Sequence, residues 1–365
     1  MNEDFNGGDV EGFGVYPTTT YNGHRSSTSR CFLGPIGDRP NLDILTSTLT
    51  HRCLIDNGNN CFGIEVSHSS RLRKSKRTRK IFAKEVILSG GAINTPQLLL
   101  LSGIGPKNEL KAAGVDCKLH LPGVGKNLQD HLQFIITYNC RQSVSLIKLQ
   151  ATAPYEFMKW MRDPKLSPIL GTSPIPVGGF GKLSPDDPIP NYQHHFVATH
   201  LQDHGRKPSF KHRFDSHICT LQQLSKGEIK LKSNNPFEPP VIDPMSLSDE
   251  QDLADLVVAF KHSRKVFNQP ALDAFNGGEH SPGNNIQTDD DIAHWLRHNL
   301  ETCYHPTCTA RIGPDDMSVC DTDFKVKGIS GLRVADASVM PDLISGNTNA
   351  PTMMLAEMCA LEIKQ

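Results

Sequence analysis

The sequence predicts an α/β domain that is interrupted by a second, α+β domain, and three observations support this organisation. A buried strand, a glycine turn and a helix follow one another over residues 85–101, which is the order of half a βαβ unit. Residues from about 138 to 300 are instead rich in proline and hold several short strand candidates. The residues after 302 return to a strand, a loop and a helix.

The composition is that of an ordinary globular protein. Hydrophobic residues make up 37% and charged residues 21% of the 365 positions, enough apolar material for a sizeable core. Lys and Arg total 38 and Asp and Glu total 39, so the net charge of -1 gives no global attraction to nucleic acid. The longest apolar runs, such as 98–101, are far shorter than the ~20 residues of a membrane span.

The termini and cysteines bear on the compartment. The first eight residues are acidic and glycine-rich, with no basic or apolar region typical of a signal peptide. The ten cysteines contain no C-x-x-C pair and are too sparse for a disulfide scaffold. We therefore expect free thiols and an intracellular protein, cytoplasmic or mitochondrial.

The first part of the α/β domain contains β-prone runs at 41–44, 53–55 and 61–66, the last two joined by a polar hairpin turn. A run with seven basic residues in ten follows at 71–80. It is either a nuclear-localisation or nucleic-acid patch or a solvated loop between two strands, and the near-zero net charge favours the loop. A buried strand at 85–89 is next.

A tight turn at Gly90-Gly91 follows that strand, with Thr95 as N-cap and Pro96 as first residue of a helix that ends at Leu101. The N-terminus of such a helix binds anions well, because its first N–H groups are unpaired and carry partial positive charge.

In the second domain we expect strands at 193–201, 217–221 and 228–231 and helices at 248–267 and 289–298. Its histidines make a metal site conceivable, but their spacing fits no standard pattern, so no metal is expected. These are His194, His195, His200, His204, His212 and His217. A strand at 332–335 and a helix from Pro351 close the chain. Apolar residues on one face of that helix are predicted to be core, namely Met353, Met354, Ala356, Met358 and Leu361.

Five stretches resemble the glucose–methanol–choline (GMC) family of flavin-dependent alcohol oxidoreductases. The string GAINTPQLLLLSGIG at 91–105 matches a family signature at every defined position, and LPGVGKNLQDH at 121–131 resembles the segment that follows it. YHPTCTARIG at 304–313, LRVADASVMP at 332–341 and SGNTNAPT at 345–352 are similar to the family's C-terminal segments.

The resemblance implies an α/β, Rossmann-like FAD-binding domain at 35–134 and 302–365, entered through an internal-type segment at 1–34. It implies an α+β substrate domain with an antiparallel sheet at 135–301. Family members begin with a βαβ unit carrying G-x-G-x-x-G, which seats the FAD pyrophosphate. Since no such string occurs in this sequence, the FAD domain is expected to be incomplete at its N-terminus.

The resemblance also implies the chemistry, the oxidation of a primary alcohol to an aldehyde with FAD as cofactor. His305 is the implied base, a role that suits an imidazole with a pKa near 6.5. Asn349 is its implied partner, able to donate a hydrogen bond to the substrate oxygen. The helix from Pro351 points its positive end at the charge on the reduced flavin. The implied cofactor contacts are Thr50, Asn94, Asp336, Ala337, Asn347, Thr348, Asn349, Pro351 and Thr352.

Two interpretations remain open at the level of sequence. The chain is an alcohol- or choline-dehydrogenase-like enzyme whose first segment a longer chain supplies, or a truncated, inactive family member that does not bind FAD. In the first case the partners are a small-molecule alcohol and an electron acceptor, either oxygen or a quinone.

Overall fold

The computed structural model describes residues 1–69, 74–173, 175–200, 206, 207 and 209–364. The chain divides into two compact units. The first, here called the antiparallel unit, comprises Met1–Asp43, Leu132–Leu221 and Gln251–Glu301. The second, here called the α/β unit, comprises Ile44–His131, Gln222–Glu250 and Thr302–Gln365.

The strands in the described residues are numbered in chain order. They are β1 (Gly12–Val15), β2 (Thr20–Tyr21), β3 (His24–Arg25), β4 (Thr48–Ile55), β5 (Cys61–Ser69), β6 (Lys74–Phe82), β7 (Val86–Leu88), β8 (Ile104–Gly105), β9 (Leu119–His120), β10 (Lys126–Leu128), β11 (Leu132–Cys140), β12 (Val177–Gly181), β13 (Tyr192–Val197), β14 (Arg213–Thr220), β15 (Gly227–Lys230), β16 (Val241–Asp243), β17 (Asn276–Ser281), β18 (Glu301–Thr302) and β19 (Leu332–Val334).

The α-helices are α1 (Gly91–Leu101), α2 (Lys107–Ala112), α3 (Ile147–Arg162), α4 (Glu250–Phe267), α5 (Asp289–Asn299) and α6 (Asn349–Lys364). A π-helical turn (Ser29–Leu33) and 3₁₀ turns (Gly34–Ile36, Pro164–Leu166, Pro270–Leu272 and Ala337–Val339) complete the helical structure. Among the described residues, no helix has the length and apolar character needed to cross a bilayer.

All ten cysteines carry free thiols.

The antiparallel unit is built on one sheet with the strand order β1–β12–β13–β14–β11–β17. Its neighbouring strands pair antiparallel, as β11 does with β14 through Phe134 opposite Ile218. Helix α4 buries its apolar stripe, and its Phe260 ring lies 5.5 Å from the ring of Phe134 on β11. This periodic stripe is what predicted the helix from sequence.

The α/β unit contains the parallel pair β7–β19, with Val86 opposite Leu332 and Leu88 opposite Val334. It also contains two three-stranded antiparallel sheets, β4–β5–β6 and β10–β15–β16, and the parallel pair β8–β9. One buried apolar cluster runs through the unit and includes Leu99, Val334 and Cys359. The predicted strand, glycine turn and helix at 85–101 therefore sit on the core of this unit.

Two unit boundaries differ from the domain bounds expected from the sequence. Residues 1–34 were expected to lead into the FAD-binding domain, but β1 pairs with β12, so Met1–Asp43 belong to the antiparallel unit. Residues 222–250 were expected in the substrate domain, but β15 pairs with β10, which places Gln222–Glu250 in the α/β unit. Both differences come from pairings between strands far apart in sequence.

Helix α1 begins five residues earlier than predicted, with Gly90 rather than Thr95 as its N-cap. Pro96 therefore lies inside the helix, where it has no N–H to donate to the carbonyl of Ala92. The Thr309 hydroxyl donates to that carbonyl instead, at 2.7 Å. A side chain from another segment thus satisfies the acceptor that the proline leaves open.

Three other local expectations need correction. No strand forms at 41–44, since β4 begins at Thr48. The basic run is not a loop where the structure describes it, because Lys74–Phe82 form strand β6 paired with β5, while 70–73 lie outside the described residues. Strand β11 and helix α3 were not predicted at all.

The C-terminal helix α6 begins at Asn349, two residues before the predicted start, and its predicted core face is not core. Met354, Met358 and Leu361 are exposed, and Cys359 is its one buried residue. The apolar residues lie all around this helix, so their periodicity was a poor guide to the buried side.

Candidate active site

His305 and His131 form a buried pair of imidazoles in the α/β unit. Their Nδ1 atoms lie 3.0 Å apart, and the rings meet edge to face at 85°. His131 is fully buried and His305 is 9% exposed. Because one of two facing ring nitrogens must donate while the other accepts, these two atoms share a single proton.

The backbone of the two histidine segments is held by Asp130 and by main-chain contacts. One carboxylate oxygen of Asp130 accepts the His305 N–H at 2.9 Å, and the other accepts the Thr302 hydroxyl. The Cys303 N–H donates to the His131 carbonyl at 2.8 Å. Burial raises the pKa of Asp130, against the opposing effect of these hydrogen bonds.

The loop that carries His305 holds two non-glycine residues in the left-handed region, Tyr304 at φ 63° and Cys308 at φ 72°. Such backbone costs an L-residue on the order of 1 kcal/mol and persists where surrounding contacts over-determine it. Here the Tyr304 N–H donates to Thr302 Oγ1 at 2.9 Å, and the Cys308 N–H donates to the Ala337 carbonyl at 3.2 Å. The backbone conformation on both sides of His305 is therefore fixed by these contacts.

Gln129 joins the His305 loop to the segment that precedes α6. Its main chain pairs with Thr307, whose N–H donates to the Gln129 carbonyl at 2.9 Å. Its buried side chain donates to Asp342 Oδ1 at 3.1 Å and accepts the Leu343 N–H at 3.2 Å. The string Gln129-Asp130-His131 lies in one of the stretches that carried the resemblance, but sequence reasoning assigned these residues no role. The sequence feature that could have indicated a role for them is that three consecutive polar residues directly precede an apolar strand.

Asp336 ties together the ends of the parallel strands β7 and β19. Its carboxylate accepts the Gly91 N–H at 2.9 Å, the Thr95 hydroxyl at 2.6 Å and the Ser338 N–H at 2.8 Å. The side chain is 5% exposed. The glycine turn before α1 is therefore positioned by a residue 245 positions away in sequence.

The remaining predicted cofactor contacts are spread over four segments of the α/β unit. Thr50 is half-buried on β4 opposite Val66, and Asn94 is exposed in the first turn of α1. The others are the half-buried Ala337 on the turn after β19, and Asn347, Thr348, Asn349, Pro351 and Thr352 at the start of α6. Within that group the Thr352 hydroxyl and N–H both donate to the Thr348 carbonyl, which fixes the first turn of the helix.

Histidines of the antiparallel unit are engaged by side chains of the sheet. His194 Nδ1 lies 3.0 Å from Ser216 Oγ, His212 Nδ1 lies 2.7 Å from Ser145 Oγ, and His200 Nδ1 lies 3.0 Å from Asp215. Burial lowers the pKa of His194 to about 3, so this imidazole is neutral at physiological pH. His204 lies outside the described residues.

Comparisons with known proteins agree with this architecture. Two profiles described as GMC oxidoreductase match residues 1–133 and 223–356. Choline dehydrogenase, mitochondrial, of Mus musculus is 40% identical over 99% of this chain and 60% of its own length. Alcohol dehydrogenase [acceptor] of Pseudomonas putida is 40% identical over 99% of this chain and 65% of its own length.

Among solved structures, an FAD-dependent oxidoreductase from Chaetomium thermophilum superposes with a TM-score of 0.85 at 26% identity, covering 98% of this chain and 68% of the other. The chain thus shares the fold of an FAD-dependent oxidoreductase. The chain belongs to the GMC oxidoreductase family. It spans about 60% of the length of the curated relatives it matches.

Proposed function

We propose that this chain oxidises a small primary alcohol to an aldehyde with FAD as cofactor, and that His305 is the base. The observation that carries the proposal is the buried His131–His305 pair. His305 Nδ1 faces His131 Nδ1, and in the tautomer in which His305 Nδ1 donates to His131, the Nε2 of His305 keeps the lone pair that can accept a proton. A neutral imidazole is well matched to taking a hydroxyl proton near neutral pH.

Features of the α/β unit support a bound FAD. Gly91 opens α1 at φ 79°. Apart from its chain neighbours and the backbone of its own helix, no atom of the described residues lies within 4 Å of the place where a Cβ would stand, and Gly346 has similar open space beside Asn347. The positive ends of the α1 and α6 dipoles suit anionic or electron-rich groups, although the Gly91 N–H of α1 already donates to Asp336. We assign Thr50, Asn94, Asp336, Ala337 and the group from Asn347 to Thr352 to this cofactor, which when bound supplies the acceptor for the hydride that leaves the alcohol carbon.

In this arrangement each residue has a separate task. His305 Nε2 takes the hydroxyl proton while His131 holds the ring, and Asp130 holds the backbone of the His305 loop. Asn349, exposed at the first residue of α6, donates from its amide to the substrate oxygen as negative charge develops there. The acceptor that reoxidises the cofactor is either oxygen or a quinone.

The choice of substrate class rests on the relatives. Those named above are a choline dehydrogenase and an alcohol dehydrogenase, so we propose choline or another small primary alcohol. Both are tested on the same protein by supplying choline and an uncharged primary alcohol in turn, each with oxygen and with a quinone analogue as acceptor.

The first experiment is an absorption spectrum of the purified chain with and without added FAD. We expect a flavin band that survives gel filtration, followed by aldehyde production that needs both the alcohol and His305. A protein that stays colourless after incubation with FAD would contradict the proposal. A flavin band without turnover of any alcohol would contradict the assigned reaction but not the cofactor.

A further inference from the structure

A small cavity of about 240 Å³ lies in the antiparallel unit and is lined almost entirely by polar side chains. Strand β11 contributes Tyr138, helix α4 contributes Arg264, and β17 contributes Asn276 and Glu279. At about 30 Å³ for each water, the cavity holds roughly eight water molecules, less space than the sites of drug-sized ligands. No residue of the proposed active site lines it.

The Tyr138 phenol is a buried hydroxyl without a hydrogen-bond partner among the described residues. The side chain is 2% exposed, and its ring packs 5.6 Å from the Phe214 ring and 4.6 Å from the Phe267 ring. Burial, with a smaller contribution from Glu279, raises the pKa of Tyr138, so the hydroxyl keeps its proton. A buried hydroxyl without a partner is destabilising, and a ligand oxygen that accepts its hydrogen bond would relieve this cost.

The charges of the cavity cancel each other. Arg264 and Glu279 form a two-pronged ion pair with N–O distances of 2.8 and 2.7 Å. The guanidinium also donates to the carbonyls of Ile286 and Gly283, and Glu279 accepts the Gly283 N–H. With both ions satisfied by each other and by main chain, the cavity offers no unpaired charge to an ionic ligand.

Exposed amides form the mouth of the cavity. Asn268, Asn284 and Gln287 are exposed and line it together with the half-buried Asn276. Each carboxamide carries an acceptor oxygen and two donor hydrogens. Part of this set is used within the protein, since Asn276 donates to the Phe267 carbonyl and accepts the Gly278 N–H, and Gln287 donates to the Asn284 carbonyl. A ligand bearing several hydroxyl groups matches the donors and acceptors that remain, because each hydroxyl both donates and accepts.

We propose that this cavity is a binding site for a neutral polyhydroxylated small molecule, a polyol or a monosaccharide, with Tyr138 donating to one of its oxygens. This site is separate from the proposed alcohol-oxidation site and does not depend on it. The neutral lining disfavours carboxylate and ammonium derivatives of the same sugars, since either would bury a charge without a counter-ion.

The test is a calorimetric titration and saturation-transfer NMR on the full chain. The neutral probes are D-sorbitol, an open polyol, and methyl α-D-glucopyranoside, a ring sugar, and the charged probes are D-gluconate and D-glucosamine. A thermal shift is unsuitable, because polyols stabilise proteins by being excluded from their surface. We expect saturable binding of at least one neutral probe, which also says whether the open or the ring form is preferred.

Variants localise the binding. Tyr138→Phe removes one hydroxyl from the cavity and should weaken binding two- to tenfold, the range of about one hydrogen bond. Tyr192→Phe removes a phenol hydroxyl from β13 of the same sheet and should leave binding unchanged. Asn268→Leu, at an exposed position at the mouth of the cavity, should also weaken binding. If Tyr138→Phe does not fold, this variant tests whether the ligand binds in the cavity.

Three outcomes would overturn the proposal. They are the absence of saturable binding for both neutral probes, binding by Tyr138→Phe as tight as by the unaltered chain, and binding of D-gluconate as tight as that of D-sorbitol. Binding of a neutral probe that is indifferent to both cavity variants would place it elsewhere, which also contradicts the assignment.

Discussion

The Nδ1 atoms of His131 and His305 lie 3.0 Å apart although 174 positions separate the two residues in sequence. If both rings were doubly protonated, two N–H groups would face each other across that distance, so the contact favours states in which at least one ring is neutral. Asp130 holds the main chain of the His305 loop, because its carboxylate accepts the backbone N–H of His305 and the Thr302 hydroxyl. The geometry fixes one ring edge of His305 and leaves the other for chemistry.

His305→Gln is expected to lower kcat for alcohol oxidation about 100- to 10,000-fold, the usual contribution of a positioned general base. The amide keeps a hydrogen-bonding group near His131 but cannot take a proton, so the FAD band should remain. Steady-state kinetics and the absorption spectrum of the same preparation measure both quantities.

His298→Gln is the matched control for that variant, because His298 is exposed on α5 of the antiparallel unit. It should change kcat less than twofold. If His305→Gln retained most of the turnover of the unaltered enzyme, His305 would not be the base.

Asp130→Asn is expected to change how stability depends on pH. The pKa of Asp130 is raised by burial above its unfolded value of about 3.9. Between these two pKa values the folded protein holds a proton that the unfolded chain has released, so this group's contribution to stability is lost as the pH rises through that window. An amide does not ionise, so the variant should gain stability relative to the unaltered chain as the pH rises.

Urea unfolding of both proteins from about pH 4 to about pH 7 measures this difference. Asp316→Asn, at an exposed position, supplies the comparison for an unburied carboxylate. A gap between Asp130→Asn and the unaltered chain that is independent of pH, or that moves the other way, would contradict the raised pKa of Asp130.

Asp336→Ala is expected to destabilise the protein by about 3 kcal/mol. The substitution removes the carboxylate that accepts hydrogen bonds from Gly91, Thr95 and Ser338. Each lost hydrogen bond is expected to cost about 1 kcal/mol of the free energy of unfolding. The free energy of unfolding in urea is the measurement, and Asp316→Asn should stay within about 0.5 kcal/mol of the unaltered chain. A loss below about 1 kcal/mol would show that the carboxylate does not hold the turn.

Cys61 is expected to titrate unusually early for a buried thiol. A hydrogen bond from the Cys53 side chain lowers the pKa of Cys61 to about 7, against the effect of burial. Thiolate absorbance in the ultraviolet should therefore rise around neutral pH and be lost in Cys61→Ser. Cys53→Ala removes the donor, so the pKa of Cys61 should rise in that variant, whereas Cys53→Ser keeps a donor at this position.

The sign of the linked stability change follows from that pKa. Since the folded pKa lies below the ordinary value of about 8.5, Cys61 adds stability that is present above the ordinary pKa and is lost as the pH falls through about 7. No thiolate signal in the unaltered chain below about pH 8.5 would contradict the assignment.

Local pattern was sufficient for several elements of this fold. The apolar run and the glycine turn at 85–101 predicted β7 and α1, although α1 begins five residues earlier than expected. The helices predicted at 248–267 and 289–298 correspond to α4 and α5. These features depend on neighbours within a few residues, which is the range over which propensity and capping act.

Sequence by itself therefore indicated the family, fewer than half of the strands but four of the six α-helices, and the histidine at the centre of the proposed site. Only the tertiary structure decided that His131 faces His305, that Gln129 joins the His305 loop to the segment before α6, and that Thr309 satisfies the carbonyl left open by Pro96. It also decided the unit boundaries, which depend on β1 pairing with β12 and β10 with β15. Each of these contacts joins residues about 100 or more positions apart, and no local propensity encodes which distant partner a polar group will meet.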